Sequence, residues 1–397
     1  MTAIDRSLTL PEPDPAAAAH SARLLDSLRA EIDAAGGSIP FARFMEQALY
    51  APGLGYYCAG TRKFGPGGDF TTAPELSPLF SRCLARQCRE ILDALGGGTI
   101  LELGAGSGIM AADLLRELHA LGVLPEHYAI LELSGELRDR QRQTLAERTP
   151  DLLERVVWLD ALPAAASLRG VVLGNEVLDA LPVECFRITP QGPRRLEVAW
   201  TEAGLTWREG VESVAVTAAV AGIEAQLGWR LPEGYLSEYA PQLPEWLQAV
   251  AEPLATGAVL FVDYGYSRRD YYHPERSTGT LLCHYRHRVH DNPLILPGLQ
   301  DITAHVDFSA VAAAGRAAGL RVAGYAHQNY FLFGCGLLEL LGEVDSADSI
   351  RYFDQARQVK LLTLPGEMGE RFQAIALTRH LDIPLCGFSF RDERWRL

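Results

Sequence analysis

The chain has 397 residues, of which 48% are hydrophobic and 22% are charged, and its formal net charge is −14. This composition excludes a disordered chain, and the length corresponds to two or three domains or to one large domain with insertions. The acidic balance argues against general binding of nucleic acid or of an anionic membrane surface.

The cysteine pattern and the start of the chain predict a cellular location. The seven cysteines are scattered and form no C-x-x-C pair, and the first twenty residues lack a basic segment followed by an apolar core. Neither a disulfide framework nor a signal or transit peptide is expected from these features. We therefore expect a cytoplasmic protein without membrane insertion.

The first part of the chain is predicted to be helical. Helices are expected over 17–35, from Pro40 onward and over 78–95, where three glycines end the last one. A long loop rich in Gly and Tyr is predicted over 50–70. We assign residues 1–98 to a helical N-terminal region.

Short apolar runs alternate with helical stretches from residue 99 onward, at 99–103, 128–133, 156–159, 171–173, 258–264 and 372–377. This alternation predicts an α/β core with a mostly parallel sheet and helices on its faces. The core covers 99–184 and 256–380. Residues 185–255 are predicted to form an insertion of antiparallel strands and a helix, and 268–300 an insertion loop rich in Tyr, His and Arg.

A glycine loop follows the first core strand, in Leu-Glu-Leu-Gly-Ala-Gly-Ser-Gly from Leu101. Gly104 and Gly106 would let the backbone approach a ligand closely at the carboxyl edge of the sheet. The spacing differs from the dinucleotide pattern G-x-G-x-x-G, and Glu102 would repel a pyrophosphate. A nicotinamide oxidoreductase is therefore disfavoured, whereas S-adenosylmethionine, with its amino group and sulfonium, fits Glu102 well.

Acidic residues also end the next two predicted strands. Glu132, followed by Leu133, is placed to accept hydrogen bonds from both ribose hydroxyls of such a cofactor. Asp160, followed by Ala161, is placed to accept one from the adenine amino group. Each acid alone could be a surface residue or a helix-capping residue, but acids at the ends of three successive strands indicate one cofactor site.

The fourth core strand leads into a candidate acceptor site. Asn175, Glu176 and Asp179 follow it, and the two acids share one face if this turn is helical. Two carboxylates there could bind a guanidinium by paired hydrogen bonds, although helix-capping acids are the alternative. His305 could orient the substrate or carry a proton, and a buried structural histidine is an equal alternative.

Two further features of the chain are another acid and a run rich in histidine. Asp263 ends the fifth core strand and is expected to point toward the binding edge. His284, His287 and His290 are spaced by three, but they lie in an Arg-rich run with no acid among them. Cations repel a metal ion, so no metal site is predicted.

Segments across 38–377 together resemble one family, the MidA-like or NDUFAF-type group of class I S-adenosylmethionine-dependent methyltransferases. The resemblance lies in 39–41, 48–57, 68–80, the glycine loop, 175–182, 263–265, 300–308 and 368–370, in the family's order. The segments 68–80 and 300–308 are highly specific to this family, whereas the glycine loop is shared by class I methyltransferases in general.

The resemblance implies a seven-stranded methyltransferase sheet with an all-helical N-terminal part and insertions after the fourth and fifth strands. It implies that the segment with Gly68, Thr72 and Pro74 covers S-adenosylmethionine. It also implies protein arginine methylation, since a mitochondrial relative modifies a subunit of respiratory complex I and helps that complex assemble. His305 would correspond by analogy to a histidine-bearing loop of other arginine methyltransferases.

We therefore predict a methyltransferase that acts on an arginine of a protein partner. Two alternatives stay open. The acceptor could be a small molecule or another non-protein molecule, with nucleic acid disfavoured by the acidic charge. The chain could also be a non-catalytic assembly factor that uses the fold as a scaffold, against which the intact set of strand-end acids argues. A homodimer is left open.

Overall fold

The computed structural model describes residues 10–59, 72–343 and 349–397. The strands in these ranges are β1 (Ser38–Pro40), β2 (Thr99–Leu103), β3 (Tyr128–Leu131), β4 (Val156–Leu159), β5 (Leu168–Asn175), β6 (Glu184–Thr189), β7 (Gly192–Thr201), β8 (Gly204–Glu209), β9 (Leu236–Tyr239), β10 (Leu254–Tyr266), β11 (Leu282–Tyr285), β12 (Arg288–His290), β13 (Asp301–Thr303), β14 (Val306–Asp307), β15 (Arg321–His327) and β16 (Phe372–Arg379).

The α-helices in the same ranges are α1 (Pro15–Ala34), α2 (Phe41–Tyr50), α3 (Ala73–Leu76), α4 (Pro78–Leu95), α5 (Ile109–Ala120), α6 (Gly135–Arg148), α7 (Val214–Leu227), α8 (Leu243–Ala251), α9 (Arg268–Tyr271), α10 (Phe308–Ala317), α11 (Gln328–Gly334), α12 (Leu337–Gly342), α13 (Ser349–Thr363) and α14 (Met368–Arg371). Among the described helices, none is long and apolar enough to cross a membrane.

The chain divides into two units. Among the described residues, the core unit contains 72–178, 243–266, 308–343 and 349–397, and the second unit contains 10–59, 179–242 and 267–307. This division differs from the predicted one. Helix α4 was assigned to the N-terminal region but packs against α5 of the core unit, and α2 packs against β6 and β7 of the predicted insertion.

The core unit is built on a sheet with seven of its strands in the order β15-β16-β10-β5-β2-β3-β4. Strands β10, β5, β2, β3 and β4 are parallel to their neighbours in this series. Within this series of described strands, β16 runs antiparallel to both of its neighbours, β10 and β15. The predicted mostly parallel sheet, with insertions after its fourth and fifth strands in the chain, is confirmed, but the sheet has eight described strands rather than the predicted seven.

Helix α4 has the bounds predicted from the sequence because both of its ends carry strong signals. Ser77 caps the start, where its hydroxyl accepts a hydrogen bond from the Leu79 N–H at 3.3 Å, and Pro78 is the first helical residue. Gly96 ends the helix with φ of 69°, in the left-handed region that glycine adopts most easily. The helix buries an apolar face that includes Phe80, Leu84 and Ile91.

The second unit contains an antiparallel sheet in the order β1-β7-β6-β9, with β8 paired to β7. Antiparallel strands over 185–213 were predicted. The expectation of an all-helical N-terminal part is wrong, because β1 is a strand that pairs with β7. Ile39 is buried there, and the Ser38 hydroxyl donates to the Glu197 carboxylate at 2.6 Å.

The segment predicted as an insertion loop, 268–300, also contains regular structure. Strands β11 and β12 form an antiparallel hairpin, and β13 pairs with β11 on its other side. Arg286 and His287 connect the hairpin with φ of 46° and 59°. Two successive residues with positive φ are typical of a tight hairpin turn, but Arg-His lacks the Asn or Gly that would have indicated one.

Candidate active site

The glycine loop joins β2 to α5 at the carboxyl edge of the core sheet. Gly104, Gly106 and Gly108 have φ of 65°, 52° and 82°, a conformation that side-chain-bearing residues rarely adopt. Gly104 is exposed, and a Cβ atom placed on it would lie 3.1 Å from Cγ1 of Val177. The sequence therefore folds here into a turn whose bare backbone is open to a ligand.

Helix α3 lies against this loop. The hydroxyl of Ser107 donates a hydrogen bond to the carboxylate of Glu75, which is in α3. Of the residues predicted to cover the cofactor, Thr72 is half-buried at the start of α3 and Pro74 is buried within it. Gly68 lies outside the described residues. The covering role of this segment stays a prediction.

Glu102 lies beneath the loop rather than at its surface. Its side chain is only 1% exposed, and one carboxyl oxygen accepts a hydrogen bond from the Tyr128 hydroxyl at 2.7 Å. Burial raises the pKa of Glu102 to about 7, the Tyr128 hydrogen bond opposes this, and the charge of Glu132 adds to it. The predicted contact with the amino-acid end of the cofactor stays a prediction, and Tyr128 is the observed partner.

Glu132 follows β3 at the same edge of the sheet. Its Oε1 accepts a hydrogen bond from the Ser134 N–H at 2.9 Å, and its Oε2 accepts one from Nε2 of Gln141 at 3.1 Å. The side chain is half-buried, while the neighbouring Leu133 is 77% exposed. A carboxylate has about four acceptor positions, so two remain for the hydroxyl pair of a ribose.

Asp160 follows β4, next to the exposed Ala161. The Asp160 side chain is 89% exposed and forms an ion pair with Arg138, with 2.7 Å between Nη2 and Oδ1. Arg138 also donates to the backbone carbonyls of Glu132 at 2.6 Å and of Leu159 at 2.7 Å. Arg138 therefore ties together the ends of β3 and β4, and an adenine contact of Asp160 stays a prediction.

These residues fit S-adenosylmethionine. Strands β2, β3 and β4 are parallel neighbours, so the glycine loop, Glu132 and Asp160 meet at one edge of the core sheet. A side chain at position 104 would reduce the open space in front of the loop. Glu132 has acceptor positions left for ligand hydroxyls. The glycine loop would hold the methionine part of the cofactor, and Glu132 would hold the ribose.

The end of β5 carries the predicted acceptor residues of the core unit. Asn175 is the last residue of β5, and its Nδ2 donates to Oε1 of Glu176 at 3.0 Å. Glu176 has φ of 53° and donates its N–H to the carbonyl of Val262 at 2.9 Å. The turn after β5 is not helical, because Glu176 adopts the left-handed conformation and residues 176–183 contain no helix, so the helical condition for a shared acidic face is not met.

Asp263 holds this turn in place. Its side chain is fully buried, and its Oδ2 accepts hydrogen bonds from the N–H groups of Val177 at 3.1 Å and Leu178 at 2.8 Å. Its Oδ1 accepts one from the Tyr264 N–H at 2.9 Å. Instead of facing a ligand at the binding edge, Asp263 therefore satisfies backbone donors after β5 and so fixes the segment that carries Glu176.

Two predicted catalytic residues belong to the second unit. Asp179 is 5% exposed, and its backbone carbonyl accepts a hydrogen bond from the Ala304 N–H at 3.0 Å. His305 is half-buried, and its N–H donates to the Thr280 hydroxyl at 3.0 Å. The structure thus brings Asp179 next to the segment of His305. A catalytic role for either residue stays a prediction.

Tyr50, Tyr57 and Asp301 also belong to the second unit and interact with one another. The Tyr57 hydroxyl donates to Oδ1 of Asp301 at 2.9 Å, and Asp301 is buried. The Tyr50 hydroxyl donates to the carbonyl of Ala180 at 3.0 Å, and the two rings stack with centroids 5.5 Å apart. Burial, together with the charges of Asp301 and Asp179, raises the pKa of both tyrosines.

Sequence reasoning missed Tyr128, Arg138 and Gln141. Helix α6 carries four arginines and no amphipathic pattern, so its residues resembled solvent-exposed ones. The spacing of the buried Leu137, Gln141 and Leu145 was the one available signal. Among the described residues, no group of three or more His, Cys, Asp or Glu side chains could hold a metal ion.

The strand order, the antiparallel β16 and the glycine loop define a class I S-adenosylmethionine-dependent methyltransferase. Residues 83–326 match the family model described as "Putative S-adenosyl-L-methionine-dependent methyltransferase". The chain belongs to this family. It is an enzyme whose cofactor is S-adenosylmethionine.

Individual relatives agree with this assignment. The chain is 31% identical to protein arginine methyltransferase NDUFAF7 of Rattus norvegicus, over 92% of this chain and 87% of that protein. It is 31% identical to the Homo sapiens protein of the same name, over 87% of this chain and 81% of the relative. A crystal structure from Burkholderia thailandensis, bound to S-adenosyl-homocysteine, shares 46% identity with a TM-score of 0.93 and covers 98% of this chain and 100% of its own.

Proposed function

We propose that this methyltransferase transfers methyl groups to arginine side chains of a protein partner. Support comes from the relatives in Rattus norvegicus and Homo sapiens, which are named protein arginine methyltransferases and match over most of their length. The family resemblance makes a subunit of a respiratory complex the first partner to test. The chemistry of the residues after β5 supplies the second line of support.

The position of Glu176 carries the proposal. Strand β5 lies beside β2 in parallel, and its Gly174 pairs with Leu103, the residue before the glycine loop. The segment after β5 therefore emerges at the same edge as the loop. A Cβ on Gly104 would lie 3.1 Å from Val177, the residue after Glu176. This position supports a place for the Glu176 carboxylate beside the methyl donor.

When bound, S-adenosylmethionine supplies a methyl group on a positively charged sulfur. The arginine guanidinium is protonated in water, so a carboxylate binds it by charge-assisted hydrogen bonds. The Glu176 carboxylate would hold and orient the guanidinium, and it would accept the proton that nitrogen loses once it carries the methyl group. Asn175 would fix this carboxylate through its hydrogen bond to Oε1. Positioning of this kind supplies much of the catalysis in a displacement reaction.

The test compares Glu176→Gln with the wild-type enzyme. Methyl-labelled S-adenosylmethionine is incubated with the enzyme and a cell extract, and label is counted separately in the protein and small-molecule fractions. We expect a loss of about 100-fold or more in transfer, with cofactor affinity by calorimetry unchanged. Glu154→Gln, which removes an exposed carboxylate of the core unit, is the control.

Methyl transfer by Asp179→Asn is measured in the same assay. Asp179 lies three residues after Glu176 in the chain but belongs to the second unit. Unchanged transfer by the Glu176 variant would remove the assigned role of Glu176. Label that enters only small molecules would contradict a protein acceptor. An absence of any transfer, together with normal cofactor binding, would favour a scaffold that binds the cofactor without using it.

A further inference from the structure

Gln141 occupies an unusual position for an amide side chain. Helix α6 buries three residues on one face, at intervals of four: Leu137, Gln141 and Leu145. The two outer residues are apolar, as expected for a face that packs on a core. Gln141 is between them and is fully buried. A buried amide is unfavourable unless its hydrogen-bonding groups find partners, so its contacts decide what it does.

The Gln141 side chain links three different parts of the cofactor-binding edge. Its Nε2 donates to the carbonyl of Gly106 in the glycine loop at 3.1 Å and to Oε2 of Glu132 at 3.1 Å. Its Oε1 accepts a hydrogen bond from the indole N–H of Trp158, in β4, at 2.9 Å. Both amide hydrogens and the amide oxygen are therefore in use.

The orientation of this amide is fixed by its partners. The indole of Trp158 can only donate, whereas the Gly106 carbonyl and the Glu132 carboxylate can only accept. If the amide were turned over, its oxygen would face two acceptors and its nitrogen would face a donor. The single workable orientation ties Glu132 to the glycine loop through one amide group.

Gly108, the last glycine of the loop, lies against Gln141. Gly108 has φ of 82°, and a Cβ on it would lie 3.0 Å from the Cα of Gln141. The absence of a side chain at Gly108 therefore lets α6 approach closely enough for the amide to reach Gly106. The glycine spacing and the buried Gln141 are two parts of one arrangement.

We propose that Gln141 is a positioning residue for cofactor binding: it fixes the Glu132 carboxylate relative to the glycine loop and so determines how strongly the enzyme recognises the ribose hydroxyls. This inference rests on the assignment of Glu132 to the ribose. Two hydrogen bonds, from Ser134 and Gln141, orient that carboxylate and leave its other acceptor positions for the ribose. Without the amide, Glu132 would rotate and the Gly106 carbonyl would lose its donor.

The test is ribose recognition, measured by calorimetry with S-adenosylhomocysteine and its 2′-deoxyribose analogue. We expect the wild-type enzyme to bind the parent compound about tenfold or more tightly than the analogue. In Gln141→Leu, which has a similar size and no hydrogen-bonding groups, this ratio should fall to about threefold or less. Gln143→Leu is the control, since Gln143 is exposed on the same helix.

A structural role alone predicts a different result. If Gln141 only stabilised the fold, the Leu variant would unfold more easily and bind both compounds more weakly, with their ratio unchanged; that outcome would overturn the proposal. If Gln141→Leu does not fold, Trp158→Phe replaces it. That change removes the indole donor that fixes the amide, and it should lower the ratio by a smaller factor.

Glu132→Gln separates this inference from the assignment on which it rests. An unchanged ratio in Glu132→Gln would show that Glu132 does not bind the ribose, and both statements would fall. A lowered ratio in Glu132→Gln with an unchanged ratio in Gln141→Leu would overturn the role of Gln141 alone. If Gln141 acts through Glu132, the double variant loses no more discrimination than Glu132→Gln does.

Discussion

Replacing Glu102 by Gln is expected to remove a pH-dependent loss of stability. Glu102 is buried beneath the glycine loop, and its pKa rises from 4.5 to about 7. Below pH 4.5 the carboxyl is protonated in both the folded and the unfolded chain. As the pH rises from 4.5 to 7, the unfolded chain releases the proton while the folded chain keeps it, so the free energy of unfolding falls.

The size of this effect follows from the pKa shift. At about 1.36 kcal/mol per pKa unit, a shift from 4.5 to about 7 corresponds to about 3 kcal/mol of stability, lost in full above pH 7. The Gln side chain does not titrate, and its amide oxygen can still accept the Tyr128 hydrogen bond. Relative to the wild type, Glu102→Gln should therefore gain about 3 kcal/mol between pH 4.5 and pH 8.

Urea unfolding of both proteins at pH 4.5 and pH 8, followed by tryptophan fluorescence, measures this difference. Glu154→Gln, which removes one exposed negative charge of the same unit, controls for the change in net charge. A difference between variant and wild type that is the same at both pH values would refute the reasoning. It would mean that the pKa of the Glu102 carboxyl is not raised in the folded protein.

Further predictions concern the glycine loop, the turn after β5 and the second unit. Gly104→Val should weaken S-adenosylmethionine binding about tenfold or more in calorimetry, whereas Gly122→Val, with φ of 74° and open space around it, should bind normally. Glu176→Asn should raise the free energy of unfolding by up to about 1 kcal/mol, because Asn tolerates positive φ, while methyl transfer falls; unchanged transfer would contradict this. Tyr57→Phe should lower stability in urea by roughly 1–2 kcal/mol, because the buried Asp301 loses a donor; an unaltered midpoint would count against it.

Elements with strong local signals could be predicted from the sequence. The core strands are short apolar runs bounded by glycines and helices, and α4 carries a cap at each end. The glycine loop and the acids after β3 and β4 were found because parallel strands bring their ends to one edge. These features depend on residues that are close together in the chain, so the pattern alone was sufficient.

Features that depend on distant pairing could not be predicted. Strand β1 exists because it pairs with β7, and its Ser38 bonds to Glu197, 159 residues away. The hairpin at Arg286 and His287 has turn residues without a turn signal. The left-handed Glu176 is held by Val262 of β10, which no local pattern at the end of β5 could reveal.

The buried residues of the site could not be predicted for a similar reason. Gln141 is in a helix rich in charged residues, and only the folded chain places it between the glycine loop and Trp158. Glu102 was predicted as a cofactor-binding residue from its position before the glycine loop, but its burial on Tyr128 depends on the neighbouring strand. The expected cytoplasmic location, the homodimer and the absence of nucleic-acid binding stay predictions.

The identity of the methylated residue tests the central proposal most directly. The enzyme is incubated with protein extract and methyl-labelled S-adenosylmethionine, the labelled protein is hydrolysed to amino acids, and the labelled product is identified by chromatography and mass spectrometry. Our account predicts label in methylated arginine, strongly reduced in Glu176→Gln. Label in methyl-lysine, in another amino acid or only outside the protein fraction would contradict it.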